Sequence, residues 1–318
     1  MVIDRLDPRE EHHSIDSPHP GLSLFLRRLA PAQGVARPVL YVHGATFPSA
    51  LSVAHRFANG SWRDALVQAG FDVWALDFQG FGGSDRYAEM SAPADAAGPL
   101  LVAVDAVRQL EAAARFIAQR TGEPRLSLIG HSWGTVVAGL LAGQQPNLVD
   151  RLVFFGPIAR RDPPRNLPRP DGPAWRPVTA EAQWARFIED VPPAETPVLS
   201  RAEFDNWAAR YLQSDPDSAL RSPPAVAVPS GPFVEILRSW HGELPYDPGL
   251  IRAPVCLLRG EWDGLATDAD ARWLFDAFKN APEKRDVKIG RGTHLMHLEA
   301  NRAALWRDSI AFLESAQA

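Results

Sequence analysis

Short apolar runs alternate with helical patterns through about two thirds of this 318-residue chain, which leaves few architectures open. Residues 39–42 form a β-rich run ending in a Gly-containing loop, residues 62–69 read as a helix closed by Gly70, and residues 71–76 read as the next strand. Strand, helix and strand make one crossover unit of a parallel sheet. Across residues 102–120 the apolar positions Val104, Val107, Leu110, Ala114 and Ile117 recur every three or four residues, predicting an amphipathic helix that stops at Thr121-Gly122. Residues 126–129 predict a strand, 135–142 a helix of small and branched residues, and 152–155 a buried strand ending at Gly156-Pro157.

The rhythm then breaks. From residue 158 the chain becomes rich in proline, with pairs at Pro163-Pro164, Pro192-Pro193 and Pro223-Pro224 separating helical patterns at 180–188 and 201–211. A structureless loop of that length is improbable inside a compact domain, so a helical insertion is expected. Alternation returns with a strand at 255–259, a helix at 269–278, a strand at 286–289 and a last helix at 302–313. The expected organisation is one α/β domain, residues 1–157 and 247–318, split by a mainly helical insertion at 158–246. No internal repeat is present.

Composition narrows the partners. The chain is 46% hydrophobic, enough for a large core, and its formal net charge of -5 with a pI near 6.0 gives no general attraction to nucleic acid or anionic membranes. A small-molecule partner is expected. Met1 to Asp7 lacks the apolar stretch of roughly 7–15 residues found in secretory signals, and no run approaches the roughly 18 apolar residues of a membrane span, so a cytoplasmic location is expected. The lone cysteine, Cys256, lies in an apolar run and reads as a buried strand thiol. His12, His13 and His19 read as a mobile tail rather than a metal site. Oligomeric state has no legible signal.

The chemistry centres on Gly130-His131-Ser132-Trp133-Gly134, set between an apolar strand and a helix. A serine exposed on so tight a turn occupies a strained backbone, and side chains at 130 and 134 would collide with the neighbouring strand and helix. A serine hydroxyl is a weak nucleophile, so this reading requires a histidine base and an orienting carboxylate. His294, in the Gly-rich loop after the 286–289 strand, is the expected base, with His297 as its rival. Asp263, just past the 255–259 strand, is the expected acid; Glu261 competes on the same turn, and Asp268 and Asp270 read more simply as first-turn helix residues. An oxyanion would need two donors. Trp133 N–H supplies one, and the loop His43-Gly44-Ala45-Thr46 the other, with Ala45 the first choice and Thr46 the second. His43 reads as fixing that loop rather than moving a proton, and it also stands as a possible substrate contact.

These motifs resemble those of the α/β-hydrolase superfamily: His43-Gly44, Asp77-Phe78-Gln79-Gly80-Phe81-Gly82-Gly83-Ser84, the pentapeptide, Gly260-Glu261-Trp262-Asp263 and Gly292-Thr293-His294, in that order. Gln79 stands where Arg is frequent. The resemblance implies an α/β-hydrolase fold with a mostly parallel central sheet, and a cap formed by residues 158–246 over the nucleophile. Trp175, Trp184, Trp207, Tyr211, Phe233 and Trp240 would then line a substrate pocket or form the cap's own core. Tyr211 and Tyr246 are similar to the cap tyrosines of epoxide hydrolases, but those enzymes use aspartate where this chain has Ser132. The implied reaction is acyl transfer through Ser132, needing neither metal nor organic cofactor. A small, largely uncharged ester or lactone is the default substrate, because no charge cluster stands out in the sequence. Amide and carbon–carbon bond cleavage are alternatives. An aminopeptidase-like reaction requires Glu195, Glu203 or Glu235 to face the nucleophile, and outside enzymes the scaffold can serve as a non-catalytic binder.

Overall fold

A computed structural model describes residues 5–33, 37–162 and 169–315. Met1 to Asp4 and Pro163-Pro164 lie outside the described residues. The strands are β1 (Glu11–Asp16), β2 (Ser23–Leu29), β3 (Arg37–Val42), β4 (Phe71–Asp77), β5 (Leu126–His131), β6 (Val149–Phe155), β7 (Trp175–Thr179), β8 (Ala225–Pro229), β9 (Val255–Gly260) and β10 (Lys284–Ile289). Eight of them form one sheet in the order β1-β2-β4-β3-β5-β6-β9-β10, while β7 and β8 pair separately. From β4 to β10 every pairing is parallel; only β1 with β2 and β2 with β4 are antiparallel. This is the expected α/β-hydrolase sheet.

Strand pleating sends alternate residues to opposite faces, and both faces are apolar. Leu40 and Val42 of β3, with Leu128, Phe154 and Leu257, pack on one face beneath α2 (Ala103–Thr121) and α3 (Trp133–Gln144). Val39 and Tyr41, with Ile129, Val153 and Leu258, pack on the other against α1 (Trp62–Gln68) and α8 (Arg302–Glu314). Ser61 and Asp64 form a capping box at the start of α1, and Gly122 ends α2 at φ +78°, a conformation that favours glycine. Within α2, Val107, Leu110, Ala114 and Ile117 are buried as expected, but Val104 is exposed and Ala103 and Ala106 take the inward positions of the first turn. Cys256 is buried on β9, and burial pushes its thiol pKa up to about 12.

The N-terminal strands correct the reading of a histidine-bearing tail. His12 and His13 sit on β1, antiparallel to β2, where each ring meets a glutamate: His12 Nε2 lies 2.6 Å from Glu10 Oε1, and His13 Nε2 3.2 Å from Glu11 Oε2. His19 Nε2 lies 2.6 Å from Asp105 Oδ1. A polar edge strand carries little apolar periodicity, which hides it. Behind it, Arg27 and Arg63 are buried against the carboxylate of Glu10.

The chain leaves the sheet after β6 and returns at β9. The intervening residues form α4 (Ala180–Ile188), α5 (Arg201–Gln213) and α6 (Gly231–Trp240), and also the two-stranded β7–β8 ribbon absent from the mainly helical expectation. β8 follows directly on Pro223-Pro224 and is buried along its whole length, so it shows no alternation. α7 (Asp268–Ala277) follows β9. Among the described residues no helix is long and apolar enough to cross a membrane.

Candidate active site

Because β3, β5, β6, β9 and β10 run parallel, the loops leaving their C-terminal ends gather along one edge of the sheet, where open α/β folds place their sites. Ser132 occupies the turn between β5 and α3 with φ +55° and ψ -128°, a strained conformation for a non-glycine residue. Its N–H donates to the Phe155 carbonyl at 2.9 Å, and its own carbonyl accepts from Thr135 Oγ1 at 2.6 Å. The flanking glycines are required by close approach: a Cβ at Gly134 would lie 2.4 Å from the Val42 carbonyl oxygen, and one at Gly130 2.9 Å from the Gly134 carbonyl oxygen.

His294 follows β10, and its Nδ1 lies 3.0 Å from each carboxylate oxygen of Asp263, the residue just past β9. Asp263 is buried, and its Oδ1 also accepts the N–H groups of Leu265 and Ala266 at 2.9 Å. A carboxylate held in this way can only accept, so Nδ1 carries the proton and Nε2 presents a lone pair. Nε2 is buried with no hydrogen-bond partner among the described residues. Ser132 and His294 line one small cavity of about 10 Å³ together with Ala45, Thr46, His131 and Arg186. Gly156, at the end of β6, makes room for the pair: at φ +56°, a Cβ there would lie 2.8 Å from His294 Cε1. The Gly156-Pro157 strand ending was visible in the sequence, but this use of it was not.

The rivals sit elsewhere. His297 is buried with its ring 4.6 Å from that of His131, and neither of its nitrogens has a partner among the described residues. Glu261 is exposed and accepts the Arg291 N–H, Asp268 pairs with Lys288 and Arg259, and Asp270 caps α7 through Thr267 while pairing with Arg161. His43 is fully buried and does not line the cavity: Phe78 N–H donates to its Nε2 at 3.1 Å, so its Nδ1 donates to the Gly44 carbonyl at 2.7 Å. It fixes the loop, and the expectation that it also contacts substrate is corrected, because it is sealed off from the cavity.

Ala45 and Thr46 flank the cavity, and Trp133 opens α3, where first-turn N–H groups lack helical acceptors. The six insertion aromatics do not line the cavity. Trp207 stacks on Tyr211 at 5.1 Å and donates to the Leu51 carbonyl, Trp184 packs on Phe204, Trp175 donates to the Ala92 carbonyl, Trp240 lies under Arg161, and Phe233 under Arg176. Tyr246 packs against Gly139 of α3 and Tyr211 against Trp207, so neither epoxide-hydrolase-like tyrosine reaches the cavity.

Several site residues escaped the sequence reading. Arg186 of α4 enters the cavity and donates to Thr46 Oγ1 at 2.9 Å. His131 Nε2 donates to the His294 carbonyl at 3.1 Å, and burial holds the imidazole well below the usual histidine pKa. Glu299 receives the Thr293 N–H at 3.0 Å and the Thr293 hydroxyl, bracing the loop beside His294; burial raises its pKa to about 7. Asp190, half-buried, accepts the Gly264 N–H at 3.1 Å, and burial, reinforced by nearby Asp263, raises its pKa. Among the described residues no group of three or more His, Cys, Asp or Glu side chains is placed to hold a metal ion.

Residues 37–301 match the family described as Serine aminopeptidase, S33. The chain belongs to that family. It has the α/β-hydrolase fold, and this S33 chain resembles curated lipases over part of its length. Lipase member N of Mus musculus is 32% identical over 125 residues, covering 38% of this chain and 31% of that protein. The human lysosomal acid lipase/cholesteryl ester hydrolase is 29% identical over 126 residues, covering 39% and 32%. The matches therefore span about a third of the curated relatives. Among solved structures, a serine hydrolase from Cycloclasticus zankles superposes with a TM-score of 0.63 at 14% identity, covering 96% of this chain and 98% of that one. The epoxide hydrolase of Vigna radiata superposes at 0.62 and 16% identity, covering 96% and 98%. At these identities the likeness is one of fold.

Proposed function

We propose that this S33 chain cleaves carboxylic esters through an acyl-enzyme on Ser132, under a cap formed by residues 158–246. The observation that carries the reading is the Asp263–His294 pair, whose histidine shares a cavity with a serine on a strained strand-to-helix turn. In the proposed reaction His294 Nε2 takes the Ser132 hydroxyl proton as Oγ attacks the carbonyl carbon. The tetrahedral oxyanion accepts hydrogen bonds from the Trp133 and Ala45 N–H groups. Its collapse breaks the bond to the leaving oxygen, which departs as an alcohol with the proton from His294. Water then repeats the sequence on the acyl-enzyme, releasing a carboxylic acid and restoring Ser132. Asp263 stays ionised and stabilises the transient imidazolium. The curated lipases similar to this chain support an ester as the bond cleaved.

A second reading, hydrolysis of an aminoacyl amide, fits the family's description. It needs a free carboxylate at the nucleophile, and Glu235 is bonded to Trp133 and Ala103, Glu195 to Arg291, and Glu203 to Ser200. Glu189 and Asp190 both act electrostatically on His294, but neither lines the cavity. Incubation with an activated phosphonate, read by intact mass, tests the nucleophile: one adduct on the native chain and none on Ser132→Ala is expected, and equal labelling of both would sink the assignment. Turnover across p-nitrophenyl esters, lactones and aminoacyl anilides tests the bond. Saturable activity on the anilides alone would overturn the ester.

A further inference from the structure

Arginines drawn into this fold generally meet carboxylates. Buried Arg27 and Arg63 meet Glu10, buried Arg259 meets Asp268 and Asp286, and half-buried Arg161 meets Asp270. Two arginines of the insertion are different. Arg186, on α4, lines the Ser132 cavity, and its Nη1 donates only to neutral oxygens, Thr46 Oγ1 at 2.9 Å and Gln183 Oε1 at 3.3 Å. Arg176, on β7, has a buried Nε without a hydrogen-bond partner among the described residues. Both guanidinium groups approach the ring of Phe233, at 3.1 Å for Arg176 and 5.9 Å for Arg186. Neither forms an ion pair among the described residues; Glu189 and Asp190 act on Arg186 only at longer range.

Desolvating two like charges side by side is costly unless an anion is supplied, and that penalty depresses the pKa of both guanidinium groups, Arg176 to about 10. Guanidinium matches carboxylate in shape and charge, offering parallel N–H donors to two oxygens. The default of an uncharged substrate rested on the lack of a charge cluster in the sequence, but the fold assembles one from β7 and α4.

We propose that Arg186, supported by Arg176, binds a carboxylate of the substrate beside Ser132, so that the substrate class is an ester carrying a carboxylate a few atoms from the scissile carbonyl. The proposal rests on the ester-hydrolase reading for its chemistry, but the anion site can be measured without turnover. Arg186 is a specificity residue in this scheme, and Arg176 positions it and adds to the field.

The test compares matched substrates at fixed ionic strength: mono-p-nitrophenyl glutarate against p-nitrophenyl pentanoate, and 3-acetoxybenzoate against phenyl acetate. The native chain should favour the anionic member of at least one pair in kcat/KM. Arg186→Gln should lower that anionic-to-neutral ratio by roughly 10- to 100-fold, the usual worth of a charge-assisted contact, and Arg186→Lys should restore part of it. In parallel, Ser132→Ala protein is titrated calorimetrically with glutarate, where adding Arg186→Gln should weaken binding at least tenfold. No anionic preference in either pair, or a ratio unmoved by Arg186→Gln while both rates fall together, overturns the proposal in favour of a purely structural arginine. If no ester turns over and the phosphonate does not label Ser132, the hydrolase reading fails, and the glutarate titration alone decides the anion site: Arg186-dependent binding upholds it, and its absence overturns it.

Discussion

The indole Nε1–H of Trp133 donates to Glu235 Oε2 at 2.8 Å, and the same oxygen accepts the Ala103 N–H at 2.8 Å. One buried carboxyl of α6 therefore ties the residue after Ser132, whose backbone N–H is the proposed oxyanion donor, to the start of α2 and to the insertion. Burial raises the Glu235 pKa, so its two donors are what offset the cost of the site. Glu235→Ala would strand both N–H groups, each at about 1–3 kcal/mol. We expect it to lower stability by a few kcal/mol and kcat by an order of magnitude or more, while Glu235→Gln, which keeps an acceptor oxygen, recovers most of both. Urea denaturation alongside ester turnover checks this; equal losses in the two variants would mean that the carboxyl oxygen is not the link.

Asp263 sets the tautomer of His294. In Asp263→Asn the amide oxygen can still accept the Leu265 and Ala266 N–H groups, but an amide NH₂ facing Nδ1 drives the ring proton to Nε2, where it blocks the base. The expected result is a fall in kcat of roughly 10⁴-fold, the scale of this change in the serine protease triad, with a much smaller change in KM and little change in melting temperature. A matching drop in phosphonate labelling rate would tie the loss to Ser132 activation. Native-like kcat would remove Asp263 from the mechanism.

Much of this site is local in the sequence, and that is why it could be read there. The pentapeptide around Ser132, the Asp263 turn and the His294 loop are each a few residues long and each follow a strand, the first two an apolar one, so spacing orders them. What escaped is what depends on long-range contact. β1 is a polar edge strand, β2 finds its second partner, β4, about fifty residues on, and β7 and β8 are hidden among prolines. Arg186 on the amphipathic α4 looks like a solvent-facing charge until the fold presses it onto Thr46. Glu235 was weighed as an amine ligand because nothing in the sequence near it shows that Trp133, about a hundred residues earlier, supplies its donor.

Glu299 gives the fold a pH signature of defined sign. Its carboxyl has a pKa of about 7 in the folded chain against an ordinary value of 4.5, so between these pH values the native state binds the proton more tightly than the unfolded one. The stability from this group is fully present below pH 4.5, declines as pH rises through 7, and is then absent; the shift corresponds to roughly 3 kcal/mol. Glu299→Gln does not titrate, and the Thr293 hydroxyl can turn to meet its amide. The native chain should therefore lose stability relative to Glu299→Gln between pH 4.5 and 7, with a constant difference above. Paired urea titrations at several pH values measure it. A flat difference across that window would show that the carboxyl titrates normally.

Gly156 offers a way to disturb the proposed Asp263–His294 pair without replacing either residue. Its φ of +56° already penalises a side chain, by about 1 kcal/mol for alanine, and the added Cβ would lie 2.8 Å from His294 Cε1, 2.9 Å from its Nδ1 and 3.3 Å from Asp263 Oδ2. The imidazole is held at Nδ1 by Asp263, so pushing on it there tilts Nε2 away from Ser132. Misplacement approaching 1 Å costs on the order of 10²-fold in rate. Gly156→Ala should therefore lose about two orders of magnitude in kcat and in phosphonate labelling, with a melting temperature only a few degrees lower. If the variant keeps native turnover, the room that Gly156 leaves for His294 is not what positions the base.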